Sequence, residues 1–246
     1  CDCECRKGFH MFEPKYKRVL LKLSGEAISG KDGIIDFDFL DRIAATLVEI
    51  SAAGVETAVV FGAGNIWRGR QGGGMNRVTA DHMGMLATVI NALAASDAVE
   101  RAGGKAAVYT STDMMPYAEY YSPERALASL AEGRIVIFGG GTGCPYFSTD
   151  TAGMLRAIEI GADAFLLAKN VDGIYDSDPR KNPDAKLFDE IAYSDMVKRD
   201  LRGIDLTASA MGAEFGPPAV AFKLEDVADI KRAVEGKCGG TVIVRK

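Results

Sequence analysis

Three glycine-punctuated loops, each set between a β-like run and a helix-like run, constrain this chain more than any other feature. They read Lys22-Leu23-Ser24-Gly25, Phe61-Gly62-Ala63-Gly64-Asn65 and Gly139-Gly140-Gly141-Thr142-Gly143-Cys144-Pro145. A loop without β-carbons lets backbone N–H groups approach phosphate oxygens, and a helix starting just beyond it adds positive partial charge. One such loop is usually only a turn. Three at strand ends imply a site that holds several phosphates at once, as a phosphoryl transferase must.

The rest of the chain supplies the strands and helices that such loops need. Arg18–Leu23 and Glu56–Phe61 are short apolar strands, and further strands are expected at 105–109, 134–138, 164–168, 219–222 and Thr241–Val244. Between them, Asp36 or Asp38 caps a helix with Leu40, Ile43, Ala44, Leu47 and Ile50 at helical spacing. A long helix is expected from Thr79 or Asp81 to near Gly103-Gly104. Ser122-Pro123 starts another, and Thr149–Glu159, 205–213 and 225–234 complete the set. Strands apolar on both faces, alternating with helices through short links, predict an α/β fold. Its form is a three-layer αβα sandwich around a mostly parallel sheet. Ligands of such sheets sit beyond the carboxyl ends of the strands, where all three glycine loops lie.

Composition removes several alternatives. A net charge of −5 argues against a nucleic-acid partner. No run reaches the ~18 apolar residues of a membrane span; the nearest, 83–95, is interrupted by Gly84, Thr88 and Asn91. With no secretory signal visible, a cytoplasmic location is expected. Cys1, Cys3 and Cys5 alternate at the start, with His10 nearby, whereas Cys144 and Cys238 are isolated. Three thiolates without a packed shell make a poor metal site. Residues 1–10, preceding Met11, read as a disordered extension or upstream translation, leaving one domain over 11–246.

Gly25 to Asp32 nearly matches the P-loop pattern but lacks its final hydroxyl, and Gly33-Ile34-Ile35 opposes the helix required there. Protein-kinase signatures are absent. Gly62 and Gly64 do not complete a dinucleotide fingerprint.

The motifs themselves carry a specific resemblance. Lys22 to Ala27, Gly64 to Gly69, Asp81-His82-Met83-Gly84-Met85-Leu86-Ala87-Thr88, Gly141 to Gly143 and Val171-Asp172-Gly173-Ile174-Tyr175 through Asp178-Pro179 together resemble the bacterial UMP kinases of the amino-acid kinase superfamily. The similarity runs in order from about Tyr16 to the C-terminus. It implies the amino-acid kinase-like fold and the reaction UMP + MgATP → UDP + ADP. The N-terminal half would serve mainly UMP and the C-terminal half mainly ATP. It also implies a homohexamer, GTP as activator and UTP as inhibitor.

By the same resemblance, Lys22 contacts the transferring phosphoryl group and Asp150 orients it; Asp150 reads otherwise as a helix N-cap. The electrostatics agree independently. A helix end offers about 0.3–2 kcal/mol to an anion, whereas a full charge at ~4 Å gives roughly 4 kcal/mol at an effective dielectric of 20. Leu23, Ser24, Gly25, Gly64 and Arg68 would line the ATP phosphates. Lys169 would be a second neutralising lysine, and Asn170, Tyr175 and Asp178 would hold the ATP nucleoside. The UMP side would comprise Ala63, Asp81, Thr142, Gly143, Cys144, Pro145, Tyr146, Phe147, Ser148 and Thr149. Ala63 stands where the family usually has Gly, harmless unless φ must be positive, and Cys144 where it usually has Asn. Asp81 either accepts from ribose hydroxyls or merely caps its helix. His82 reads as a packed or supporting histidine, since a phosphate acceptor needs no strong base. Gly30, Lys31, Asp32, Gly33, Ile34 and Ile35 align with the GTP-responsive segment, one residue shorter here. Asp176 and Asp178 read as solvated turn carboxylates, and Mg²⁺ as held mainly by ATP phosphates and water, with no protein metal site.

Two other readings remain open on sequence: a carboxylate or carbamate kinase of the same superfamily, and a non-catalytic nucleotide sensor on the same fold.

Overall fold

The computed structural model describes residues 12–30, 33–67, 73–201 and 203–245. The described strands are β1 (Arg18–Leu23), β2 (Glu56–Phe61), β3 (Ala106–Thr110), β4 (Glu119–Tyr120), β5 (Ile135–Gly139), β6 (Ala164–Lys169), β7 (Glu190–Ala192), β8 (Ala219–Lys223) and β9 (Thr241–Val244). They form one sheet in the order β4-β3-β5-β2-β1-β6-β8-β9-β7. Every pairing is parallel except β8 with β9. The helices are α1 (Phe37–Ala52), α2 (Arg77–Arg101), α3 (Pro123–Ala131), α4 (Thr149–Glu159), α5 (Tyr193–Lys198), α6 (Leu206–Phe215) and α7 (Ala228–Val234).

The side-chain alternation of β1 sorts the two cores. Leu21 and Leu23 pack with α1, α2 and α7, whereas Leu20 packs with α3 to α6 on the other face. Helices therefore cover both sides of the sheet, giving the expected three layers. Burying each large aliphatic side chain contributes about 1.5–3 kcal/mol, and Leu20, Leu21, Leu23 and Leu47 are all essentially inaccessible.

Two expectations need correction, and three short elements were not expected at all. The long helix begins at Arg77, because Asn76 accepts hydrogen bonds from Val78 and Thr79 N–H and caps it. Neither Thr79 nor Asp81 is its cap. The helix expected from residue 225 begins only at Ala228, where Asp229 has already bound the Glu225 and Asp226 N–H groups in a turn. The segments holding β4, β7 and α5 carry no pattern long enough to announce them; pairing with β3 and β9 makes the two strands.

Candidate active site

Strand parity places the first functional side chain. Lys22 follows Leu20 on the α4 face of β1, and Lys169 follows Phe165 and Leu167 on the same face of the neighbouring β6. Both ammoniums emerge at the carboxyl ends of parallel strands. Asp150, in the first turn of α4, lies between them: Lys22 Nζ is 2.9 Å from Oδ1, and Lys169 Nζ is 3.2 Å from Oδ2. All three side chains are largely buried, at 12%, 17% and 13% exposure for Lys22, Lys169 and Asp150. Burial pushes the Asp150 carboxyl up, but the Lys22 and Lys169 charges outweigh it and hold the group well below the usual carboxylate range. Burial lowers the Lys169 ammonium, Asp150 raises it, and Lys22 lowers it further; the net direction is down.

Asp150 is held by its helix start. Ser148 caps α4, its Oγ accepting from the Asp150 and Thr151 N–H groups. Ser148 and Thr151 hydroxyls both donate to Asp205, which also caps α6 through Ala208 N–H. One carboxylate thus ties α6 to the α4 terminus that presents Asp150.

The glycine loops converge on the same edge. A β-carbon on Gly25 would lie 2.5 Å from Gly64 N and 2.6 Å from Gly62 O, so glycine lets the loops after β1 and β2 touch. Ser24 caps the 3-10 turn Gly25–Ile28 through Ala27 N–H. Asn65 and the fully buried Asn91 of α2 exchange amide hydrogen bonds at 2.9 Å, while Asn91 donates to Gly62 O and Asn65 to Ile34 O. Thr88 of α2 accepts from Gly140 N–H. In the third loop, Gly140, Gly141 and Gly143 have positive φ, and so does Tyr146 at 72°. That conformation costs a non-glycine residue about 1–3 kcal/mol. Tyr146 is held there as its N–H donates to Asp81 Oδ2 at 2.7 Å. Arg77 Nε reaches both Asp81 oxygens at 2.9 and 2.8 Å, and its guanidinium stands 5.3 Å from the Tyr146 ring centre.

These elements bound a cleft of about 1030 Å³. Of the expected residues, Lys22, Ala63, Gly64, Asp81, Thr142, Tyr146, Phe147, Ser148, Thr149 and Asp150 line it. Ala63 is not among the residues of positive φ, so its methyl group carries no backbone strain. Gly143, Cys144 and Pro145 belong to the same loop but not to the cleft wall, and Thr142 Oγ1 is occupied with the Cys144 backbone. Leu23 is a core side chain at 0% exposure, and only its backbone, accepting from Gly62 N–H, faces the loops. Asn170, Tyr175 and Asp178 lie apart from the cleft wall, in the segment after β6; the Tyr175 hydroxyl donates to Asp172 and Asp178 accepts from Arg180 N–H. Asp176 accepts from Ser177 and Lys186, as a turn carboxylate does. His82 is exposed rather than packed, because Asp81 and not its neighbour turns toward the cleft. Within the loop expected to answer GTP, Gly30, Gly33, Ile34 and Ile35 are described, and Asn65 anchors Ile34. Arg68, Lys31, Asp32 and residues 1–10 lie outside the described residues.

The sequence reading missed Arg77, Thr88 and Asp205. Arg77 and Asp81 carry the spacing of a helical ion pair. Thr88 and Asn91 are polar positions on an otherwise apolar stripe, a signal of buried hydrogen bonding. Asp205 stood in the sequence only as the start of the helix expected over 205–213.

Comparison with known proteins agrees with this layout. The model of the amino acid kinase family matches residues 17–220. A uridylate kinase from Oenococcus oeni is 51% identical over 239 residues, covering 95% of this chain and 98% of that protein. The crystal structure of a UMP kinase from Bacillus anthracis is similar at 37% identity and a TM-score of 0.88, covering 94% of this chain and 97% of that one. A UMP kinase structure from Ureaplasma parvum gives 32% and 0.88, with 93% and 99% covered.

Proposed function

The chain belongs to the amino acid kinase family, and from that membership we propose that it is a UMP kinase, transferring the γ-phosphoryl group of MgATP to UMP to give UDP and ADP. The observation that carries the reading is Asp150 holding both Lys22 and Lys169, with Lys22 and Asp150 lining a cleft large enough for nucleotides. Two anionic substrates repel each other, and Lys22 supplies the full charge that helix ends cannot. Phosphoryl transfer needs little covalent help from the protein, so positioning and charge stabilisation suffice. Asp150 holds the Lys22 ammonium in place without acting as a base. The UMP phosphate arrives already ionised, which agrees with a floor that presents ammoniums rather than a free carboxylate.

On this reading Asp81, Ala63 and the 142–149 loop receive UMP, while Ser24, Gly25, Gly64 and Arg68 face the ATP phosphates. Asn170, Tyr175 and Asp178 take the ATP nucleoside, and Lys169 shares the phosphate charge. Magnesium enters as part of the MgATP substrate, its coordination completed by phosphate oxygens and water, as suits a strongly hydrated ion. The enzyme works in pyrimidine nucleotide synthesis in the cytoplasm. Leu86, Ile90 and Leu93, exposed along one stripe of α2, support a homohexamer. GTP activation through residues 30–35 and UTP inhibition complete the proposal.

A nucleotide sensor without activity has no use for a buried lysine pair on one carboxylate. Release of ADP measured with UMP, CMP, dUMP, acetylglutamate, aspartate and carbamate tests the assignment, with UMP expected to be the best acceptor. A carboxylate or carbamate turned over faster than UMP overturns it.

A further inference from the structure

Arg77 is an odd residue for the first position of a helix, since its charge meets the positive end of the dipole. Its order with Asp81, cation first, is also the weaker one for an i,i+4 pair. Local helix energetics therefore do not account for it. The tertiary contacts do: Asp81 Oδ2 is shared by Arg77 Nε and Tyr146 N–H, and among the described residues Oδ1 receives Arg77 Nε alone. Arg77 also covers the Tyr146 ring at 5.3 Å. The carboxylate is 14% exposed and Arg77 56%, so the cation shields the acid from the solvent side.

From this arrangement we infer that Arg77 is a positioning residue for acceptor recognition, closing a three-part clasp of Arg77, Asp81 and the left-handed Tyr146. The inference rests on the UMP kinase reading and deepens it. The clasp joins α2 to the acceptor loop across the cleft and immobilises Asp81, with lone pairs of Oδ1 left to accept from a ribose hydroxyl. A carboxylate held before the nucleotide arrives loses no rotamer freedom on binding. Arg77 thus acts on acceptor affinity and leaves the phosphoryl-transfer floor at Lys22 and Asp150 untouched. Lysine keeps the charge but not the rigid, planar guanidinium whose Nε–H sits between both oxygens while its face lies over the Tyr146 ring.

The test is steady-state kinetics with UMP and MgATP, with UMP binding measured by calorimetry, on wild type, Arg77→Ala, Arg77→Lys, Asp81→Asn and the Arg77→Ala/Asp81→Asn double variant. Arg77→Ala is expected to raise KM and Kd for UMP about tenfold, the loss of a charge-assisted contact. KM for ATP and kcat should stay within about twofold. Arg77→Lys should recover part of the loss, and the Arg77→Ala effect should largely vanish once Asp81 is Asn. An unchanged UMP Kd in Arg77→Ala, equal damage to both substrates, or full additivity with Asp81→Asn overturns the clasp while the UMP kinase reading stands. A wild type that neither binds nor phosphorylates UMP removes the reading itself, and the clasp with it.

Discussion

Lys22 Nζ and Asp150 Oδ1 lie 2.9 Å apart, the first at the end of β1 and the second in the opening turn of α4. Lys169 takes the other oxygen of the same carboxylate. One acid thus holds two ammoniums at the carboxyl ends of two neighbouring parallel strands. Without it the lysines would repel each other into solvent, and a pair of long, flexible side chains would have to be ordered anew for each turnover.

Lys22→Ala should lower kcat by about 10²–10³, the range seen when one transition-state donor is removed. UMP binding, followed by calorimetry, should change little. Equal losses in binding and turnover would contradict a role confined to the transferring group.

Asp150→Asn removes the largest influence that raises the Lys169 ammonium and leaves only the smaller one of Asp205 against burial and Lys22, which both lower it. The alkaline limb of the kcat/KM profile should therefore move to lower pH in this variant. An unshifted limb would separate Lys169 from the reaction.

The same carboxylate makes an acid-side prediction for stability. Its folded pKa is depressed from 3.8, so its contribution is complete above that value and disappears as pH falls through the lower folded value. Denaturant titrations should show wild type more stable than Asp150→Asn by on the order of 3 kcal/mol near neutrality. The gap should hold flat down to about pH 4 and close only below it. A gap that closes between pH 7 and 5 would assign the effect to another group.

Gly25→Ala places a methyl group 2.5 Å from backbone nitrogen, where no side chain can yield. The loops after β1 and β2 must part, at a cost of about 1–3 kcal/mol, with KM rising for both nucleotides. A variant of wild-type stability and kinetics would show that the close approach is dispensable.

Asn91→Ala strips Gly62 O and Asn65 of their buried partner. Loss of about 1–3 kcal/mol is expected from the unsatisfied groups, measured by urea denaturation. Asn91→Asp should be no better, because a carboxylate cannot donate to the Gly62 carbonyl.

Much of this architecture was legible in the chain because local rules govern it. Short runs apolar on both faces marked β1, β2, β5 and β6, stripes with period 3.6 marked most helices, and glycine loops at strand ends marked the site edge. Lys22 and Asp150 were picked out by the resemblance to the UMP kinases, where local pattern alone left Asp150 a helix cap, and Lys169 shares the parity of Phe165 and Leu167. What no local pattern contains is which strands are neighbours. Only the sheet order puts β1 beside β6 and brings Lys22 and Lys169 onto one carboxylate. Likewise Asp81 read as well for a cap as for a ligand group, until folding set Asn76 at the helix start and Tyr146 N–H against the acid. Hydrogen bonds between residues 65 positions apart depend on closure of the whole sheet, and a sequence window is too short to hold them.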